Sequence, residues 1–173
     1  MSSNLEKALG FNFEAFNYLY VLCDYETLLK KNITLEKCLE ILKKYDVKLL
    51  QYRDKVSDLE LQKQNLIFLN QNLNIPIIVN DKVELIDYAD GLHVGQDDVL
   101  KIDKDKNLAI KLLRKIVKNK LLGLSTHNEL EILEANSFEL DMIGLGAYKA
   151  TNTKDISNIL GEKLQYLAKM SKH

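Results

Sequence analysis

From Leu19 onward, short apolar runs alternate with longer amphipathic stretches. Leu19–Cys23 reads as a strand. Leu35, Cys38, Leu39 and Leu42 then fall at helical spacing and predict a helix over 35–45. Val47–Tyr52 is the next strand, and Leu59–Leu73 the next helix. Pro76–Val79 is an unbroken apolar run, as expected of a strand buried on both faces. A short helix is predicted over 83–88, a strand over 91–94 and a helix over 108–118. A strand follows over 120–124, then a helix over 128–135 that Asn128 can cap. Met142–Leu145 is a sixth strand. Ile156–Met170 is a final helix, with Asp155 at its start, where an acid suits the dipole. The residues before Leu19 read as an extra helix.

Regular alternation of strand and helix implies parallel strands joined by right-handed crossovers. An open doubly wound sheet and a closed barrel both satisfy it. No glycine fingerprint follows the first strand, which counts against a dinucleotide fold. No linker, low-complexity segment or charge block divides the 173 residues, so one domain over 1–173 is expected.

Composition narrows the function. The chain is 46% hydrophobic and 28% charged, a globular balance. A formal net charge of -1 supplies no field for nucleic acid or membrane. Cys23 and Cys38 are too few for a disulfide framework, and no Cys/His cluster points to zinc. No apolar run approaches the ~20 residues of a membrane helix. Met1–Lys7 lacks the basic-then-apolar pattern of a secretory leader, so the cytoplasm is the expected compartment. Arginine occurs only at Arg53 and Arg114, which draws attention to Arg53 in its polar cluster.

Polar clusters follow the predicted strands in phase. They are Gln51, Arg53, Asp54 and Lys55; Asn80 and Asp81; Gly95, Gln96, Asp97 and Asp98; Ser125, Thr126 and His127; and Thr151, Thr153 and Lys154. Taken singly, each is ordinary loop or cap chemistry. In a βα barrel, however, the carboxyl ends of the strands share one face, where active sites lie. Asp81 and Asp98 offer hard oxygen ligands suited to Mg²⁺. Arg53, Lys55 and Lys154 offer positive charge for phosphate, and arginine can bind two oxygens at once. The set fits a phosphate or pyrophosphate substrate. His93, within an apolar strand, reads as an interior histidine. His127 either lies at the mouth or begins the next helix. Cys23 reads as a small buried residue.

The clusters resemble the motifs of thiamine phosphate synthases and their TenI-type relatives. Gln51-Tyr52-Arg53-Asp54-Lys55 is similar to Q-x-R-x-K. Ile77-Ile78-Val79-Asn80-Asp81 is similar to I-I-N-D, and Asp90 to Asp98 to D-G-x-H-x-G-Q-x-D. Gly123 to His127 is similar to G-x-S-x-H. Gly144-Leu145-Gly146 with Thr151 to Lys154 is similar to G-x-G followed by T-x-T-K. Leu19 to Asp24 resembles the first strand.

The resemblance implies a TIM barrel. It implies an Mg²⁺-dependent transferase that joins a pyrimidine diphosphate to a thiazole phosphate, releasing pyrophosphate. It implies that Gln51, Tyr52, Arg53, Asp54, Lys55 and Asn80 hold the pyrimidine diphosphate, with Ser125 and Lys154 on its pyrophosphate. Thr151, Asn152 and Thr153 would hold the thiazole phosphate, and Asp81 and Asp98 the Mg²⁺. Two departures stand out. Ala147, Tyr148, Lys149 and Ala150 replace the proline and aromatic positions of the family. The sequence also ends where a seventh strand would begin, so a barrel stopping after its sixth βα unit is expected. A shortened chain, a naturally short one, or completion by another subunit in a homo-oligomer would account for it. The runner-up readings are a thiazole tautomerase of the same superfamily and a non-catalytic phosphate-binding or regulatory barrel.

Overall fold

The structure is a computed structural model that describes Lys7, residues 19–150 and residues 159–173. The helix expected before Leu19 falls outside the described residues apart from Lys7, as do Ile156 to Asn158 of the last one. The chain forms two compact units, 1–92 and 93–173.

The first unit carries three strands in chain order: β1 (Tyr20–Asp24), β2 (Leu49–Arg53) and β3 (Ile77–Asn80). β1 pairs with β2, and β2 with β3, all parallel. Register places Leu22 beside Gln51 and Asp24 beside Arg53. Two helices link β1 to β2. The first is α1 (Tyr25–Lys30), capped by Asp24. The second is α2 (Leu35–Lys44), capped by Thr34, which buries Leu35, Cys38, Leu39 and Leu42. α3 (Leu59–Asn72) links β2 to β3, with the Asp58 carboxylate accepting from Leu61 N–H. The segment predicted helical over 83–88 is a 3₁₀ helix, Val83–Tyr88.

β4 (Gly91–Val94) is wholly buried and spans the boundary between the units. The second unit continues with α4 (Gln96–Ile102), α5 (Lys106–Val117), β5 (Leu121–Thr126), α6 (Glu129–Ala135), β6 (Met142–Leu145) and α7 (Lys163–Ala168). β5 and β6 are parallel neighbours, Ser125 opposite Gly144. Leu167 of α7 and Leu160 join a buried cluster with Ile132 of α6.

Three elements differ from the sequence expectation. α1 starts directly at the end of β1, since one Asp both ends the strand and caps the helix. α4 occupies the stretch read as a polar loop, with Gly95 as its N-cap and two acids in its first turn, where they favour the helix dipole. The last helix begins only at Lys163, because Gly161 turns the chain with φ +52°. Among the described residues, no helix is long and apolar enough to cross a membrane.

Candidate functional site

In the first unit the polar residues gather at the carboxyl ends of three neighbouring strands. Strand alternation decides which side chains join them. Gln51 and Arg53 point to the β1 side chains Tyr20 and Asp24. The Gln51 amide donates to the Tyr20 hydroxyl at 2.5 Å. The Arg53 guanidinium donates to the Asp24 carboxylate, and both groups are largely buried. The other Asp24 oxygen accepts from Thr27 N–H at 2.9 Å and from the Thr27 hydroxyl at 2.6 Å. Burial acts to raise the Asp24 pKa. The Thr27 bonds and the Arg53 charge outweigh it and hold the carboxyl below its ordinary value.

Lys55, just past β2, reaches across to Asp81, just past β3, with Nζ to Oδ2 at 3.0 Å. Asn80 donates to the second Asp81 oxygen at 2.9 Å. Asp81 is held in the left-handed region, φ +61°. Asp tolerates that region better than most residues, but non-glycine residues held there cluster at functional sites.

The structure therefore brings together Gln51, Arg53, Lys55, Asn80 and Asp81, and adds Asp24. It does not bring the side chains of Tyr52 and Asp54 into that set. Tyr52 is fully buried on the opposite face of β2. Its hydroxyl donates to Asp54 at 2.9 Å and accepts from the Asn65 amide of α3 at 2.8 Å. Asp54 also accepts from Val56 and Ser57 N–H. Burial, with the Asp54 carboxylate beside it, pushes the Tyr52 phenol well above its ordinary pKa. This network fixes the turn that carries Lys55.

The second unit holds Ser125 at the end of β5. Its hydroxyl lies 3.0 Å from Nε2 of buried His93, and its carbonyl accepts from the Gln96 amide at 2.7 Å. His93 is the interior histidine that the sequence predicts. It sits against two glycines: a Cβ at Gly123 would lie 2.5 Å from its Nδ1, and one at Gly144 3.1 Å from its Cε1. Asp98 stands in the first turn of α4, and its carboxylate pairs with Lys101 at 2.8 Å. His127 takes the helix-start role. Its Nδ1 and its backbone N–H both meet the Glu131 carboxylate, while the Asn128 side chain caps α6 by accepting from Glu131 N–H and donates its amide to the Glu131 carboxylate. Thr151, Asn152, Thr153 and Lys154 lie outside the described residues. Among the described residues, no group of three or more His, Cys, Asp or Glu could hold a metal ion.

Asp24 is the functional candidate that sequence reasoning missed. Its signal was its place one residue past the apolar part of the first strand, in phase with the other strand-end clusters.

Parallel βα repeats with charged side chains at their strand ends define an α/β protein built to present polar groups from loops. Comparison with known proteins narrows that class. The family model described as thiamine monophosphate synthase matches residues 19–173, and the chain belongs to that family. It is 32% identical over 161 residues to a thiamine-phosphate synthase of Persephonella marina, covering 88% of this chain and 71% of the relative. It is 36% identical over 148 residues to thiamine-phosphate synthase 1 of Streptococcus pneumoniae, covering 79% and 64%. A thiamine-phosphate synthase of Chloroflexus aurantiacus matches at 39% over 61% of this chain and 47% of its own length. The chain thus spans between about half and seven tenths of these relatives. In structure it is similar to a thiamine phosphate pyrophosphorylase from Pyrococcus furiosus, with a TM-score of 0.68 at 23% identity, covering 90% of this chain and 71% of the other. That likeness supports the fold.

Proposed function

We propose that the protein is a thiamine phosphate synthase. It would transfer the pyrimidine methylene group of 4-amino-2-methyl-5-hydroxymethylpyrimidine diphosphate to a thiazole phosphate, releasing pyrophosphate. The observation that carries this reading is the pairing of Arg53 with Asp24 and Lys55 with Asp81 at three adjacent strand ends. The names of the relatives favour the synthase over a tautomerase or a non-catalytic barrel. A TIM-type barrel is the architecture we assign, supported by chain-order parallel strands within each unit and the likeness to the pyrophosphorylase.

The residue roles follow from chemistry. Arg53, aimed by Asp24, offers a planar fork for two phosphate oxygens. Lys55 offers a mobile point charge that can pass from Asp81 to the substrate. Gln51 and Asn80 hold the pyrimidine diphosphate through amide contacts. Ser125, oriented by His93 and Gln96, donates to the pyrophosphate together with Lys154. Thr151, Asn152 and Thr153 take the thiazole phosphate. Asp81 after β3 and Asp98 in the first turn of α4 each carry a hard carboxylate oxygen of the kind Mg²⁺ takes as a ligand. Mg²⁺ held by such carboxylates would neutralise charge on the departing pyrophosphate. The thiazole nitrogen attacks with its own lone pair, so the site needs no general base at that atom. Catalysis is then positioning plus charge stabilisation. The partners are small phosphorylated molecules rather than nucleic acid or membrane, in the cytoplasm, with a homo-oligomer as the assembly to test.

Thermal unfolding tests the site directly. Pyrophosphate at one hundred times its dissociation constant stabilises the folded state by about 2.7 kcal/mol. The shift should require Mg²⁺ and disappear in Arg53→Ala. Absence of any shift at millimolar pyrophosphate with Mg²⁺ would refute the reading.

A further inference from the structure

Cys23 and Cys38 lie 15 residues apart in sequence, yet their Sγ atoms are 3.8 Å apart in the core of the first unit. Cys23 is on the β1 face turned away from Asp24, and Cys38 is in the first half of α2. The synthase reading gives neither thiol a role. Two thiols in van der Waals contact differ from a lone buried cysteine. From 3.8 Å the sulfurs must close by about 1.8 Å to reach the S–S length of about 2.05 Å.

We propose that Cys23 and Cys38 form a dithiol that a peroxide closes into an intramolecular disulfide. The two sulfurs are not equivalent. Cys38 is the more exposed of the pair, 9% against 3%. Leu35, one helical turn before it, lines an open groove with Tyr25, Leu29, Thr34 and Phe68, which brings solvent close to α2. The two thiols share a hydrogen bond in which either sulfur can be the donor. The greater exposure of Cys38 makes it the thiol that peroxide meets first, so it takes the attacking role and Cys23 the resolving one. The Cys38 thiolate attacks one peroxide oxygen, breaks the O–O bond and becomes a sulfenic acid, releasing hydroxide or the corresponding alkoxide. The Cys23 sulfur then displaces the sulfenic oxygen, which leaves as water with the thiol proton. The S–S bond forms as the two sulfurs give up two electrons to the peroxide.

The test uses the whole protein and hydrogen peroxide near stoichiometry. After catalase quenching, the protein is unfolded in urea with iodoacetamide, and its intact mass is measured. The expected product has lost two hydrogens, carries no alkyl group, and regains two alkylation sites after dithiothreitol. In Cys23→Ala the sulfenic acid has no resolving partner, so Cys38 should form a dimedone adduct that the native protein does not. Two alkylated thiols after peroxide, or a principal product carrying added oxygen, would overturn the proposal. A disulfide between two copies would overturn it as well. The native-protein mass decides the matter even where the variant does not fold.

Discussion

Tyr52→Phe isolates the polar network behind the candidate site. The change keeps the ring and its packing in a fully buried position, so it opens no large cavity. It deletes one hydroxyl that donates to the Asp54 carboxylate at 2.9 Å and accepts from Asn65 at 2.8 Å. A hydrogen bond to a charged group contributes about 1.5–3 kcal/mol, and a neutral one about 1 kcal/mol. Asp54 keeps its bonds from Val56 and Ser57. The Asn65 amide is left without its partner in a buried place, which adds to the cost. Relief from burying a hydroxyl offsets part of the sum. The expected net loss is about 2–3 kcal/mol, or a fall in Tm of roughly 4–12 °C for a chain of this size. Urea unfolding followed by circular dichroism measures it, with an unchanged m-value. A double-mutant cycle with Asp54→Ala should show coupling above about 1 kcal/mol. A loss below about 0.5 kcal/mol with no coupling would mean that the Tyr52–Asp54–Asn65 network does not hold the turn.

Further outcomes follow from the same geometry. Asp24→Asn keeps an N-cap oxygen for Thr27 but removes the charge that holds Arg53. It should weaken Mg²⁺-pyrophosphate stabilisation while leaving the far-ultraviolet spectrum of the protein unchanged. The lowered Asp24 pKa means that its contribution to stability is present above the ordinary value of 3.8 and is lost as pH falls through the lower folded value. The stability gap between the native protein and Asp24→Asn, measured by urea unfolding across acid pH, should therefore narrow below that point. Gly123→Ala places a Cβ 2.5 Å from His93 Nδ1, against a buried ring with little room to move. It should cost roughly 1–3 kcal/mol in thermal or urea unfolding. Arg53→Lys should lose most of the pyrophosphate-induced shift, because an ammonium cannot reproduce the bidentate fork.

Strand positions were legible because buried parallel strands read as short apolar runs. Pro76–Val79 and Met142–Leu145 stand out for that reason, and the structure has strands at Ile77–Asn80 and Met142–Leu145. The strand-end clusters were legible for the same reason, since phase alone marks them. α1 and α4 were not. α1 is too short for a periodic stripe and buries none of its residues. α4 starts in a Gly-Gln-Asp-Asp stretch whose composition is that of a turn. Side-chain direction was also hidden. Gln51 to Lys55 is one motif in sequence, but the pleat sends Tyr52 to the core and Gln51 and Arg53 to the site. Arg114 shows the same limit. Sequence marked it only as one of two arginines, whereas in the structure it binds the carbonyls of Lys118, Lys120 and Glu139 and the carboxylate of Asp141. It ties the end of α5 to the segment entering β6.

The period of β2 has an evolutionary consequence. Leu50 and Tyr52 face the helices while Gln51 and Arg53 face the polar cluster, so one register specifies both core and site. A single-residue insertion or deletion within Leu49–Arg53 would exchange the two sets at a stroke. It would place a guanidinium among the helices and turn a tyrosine toward the polar cluster. Variation in this strand is therefore confined to substitution at fixed length, and length changes are open only to the connections on either side. Chemistry and foldability in that segment depend on one and the same register.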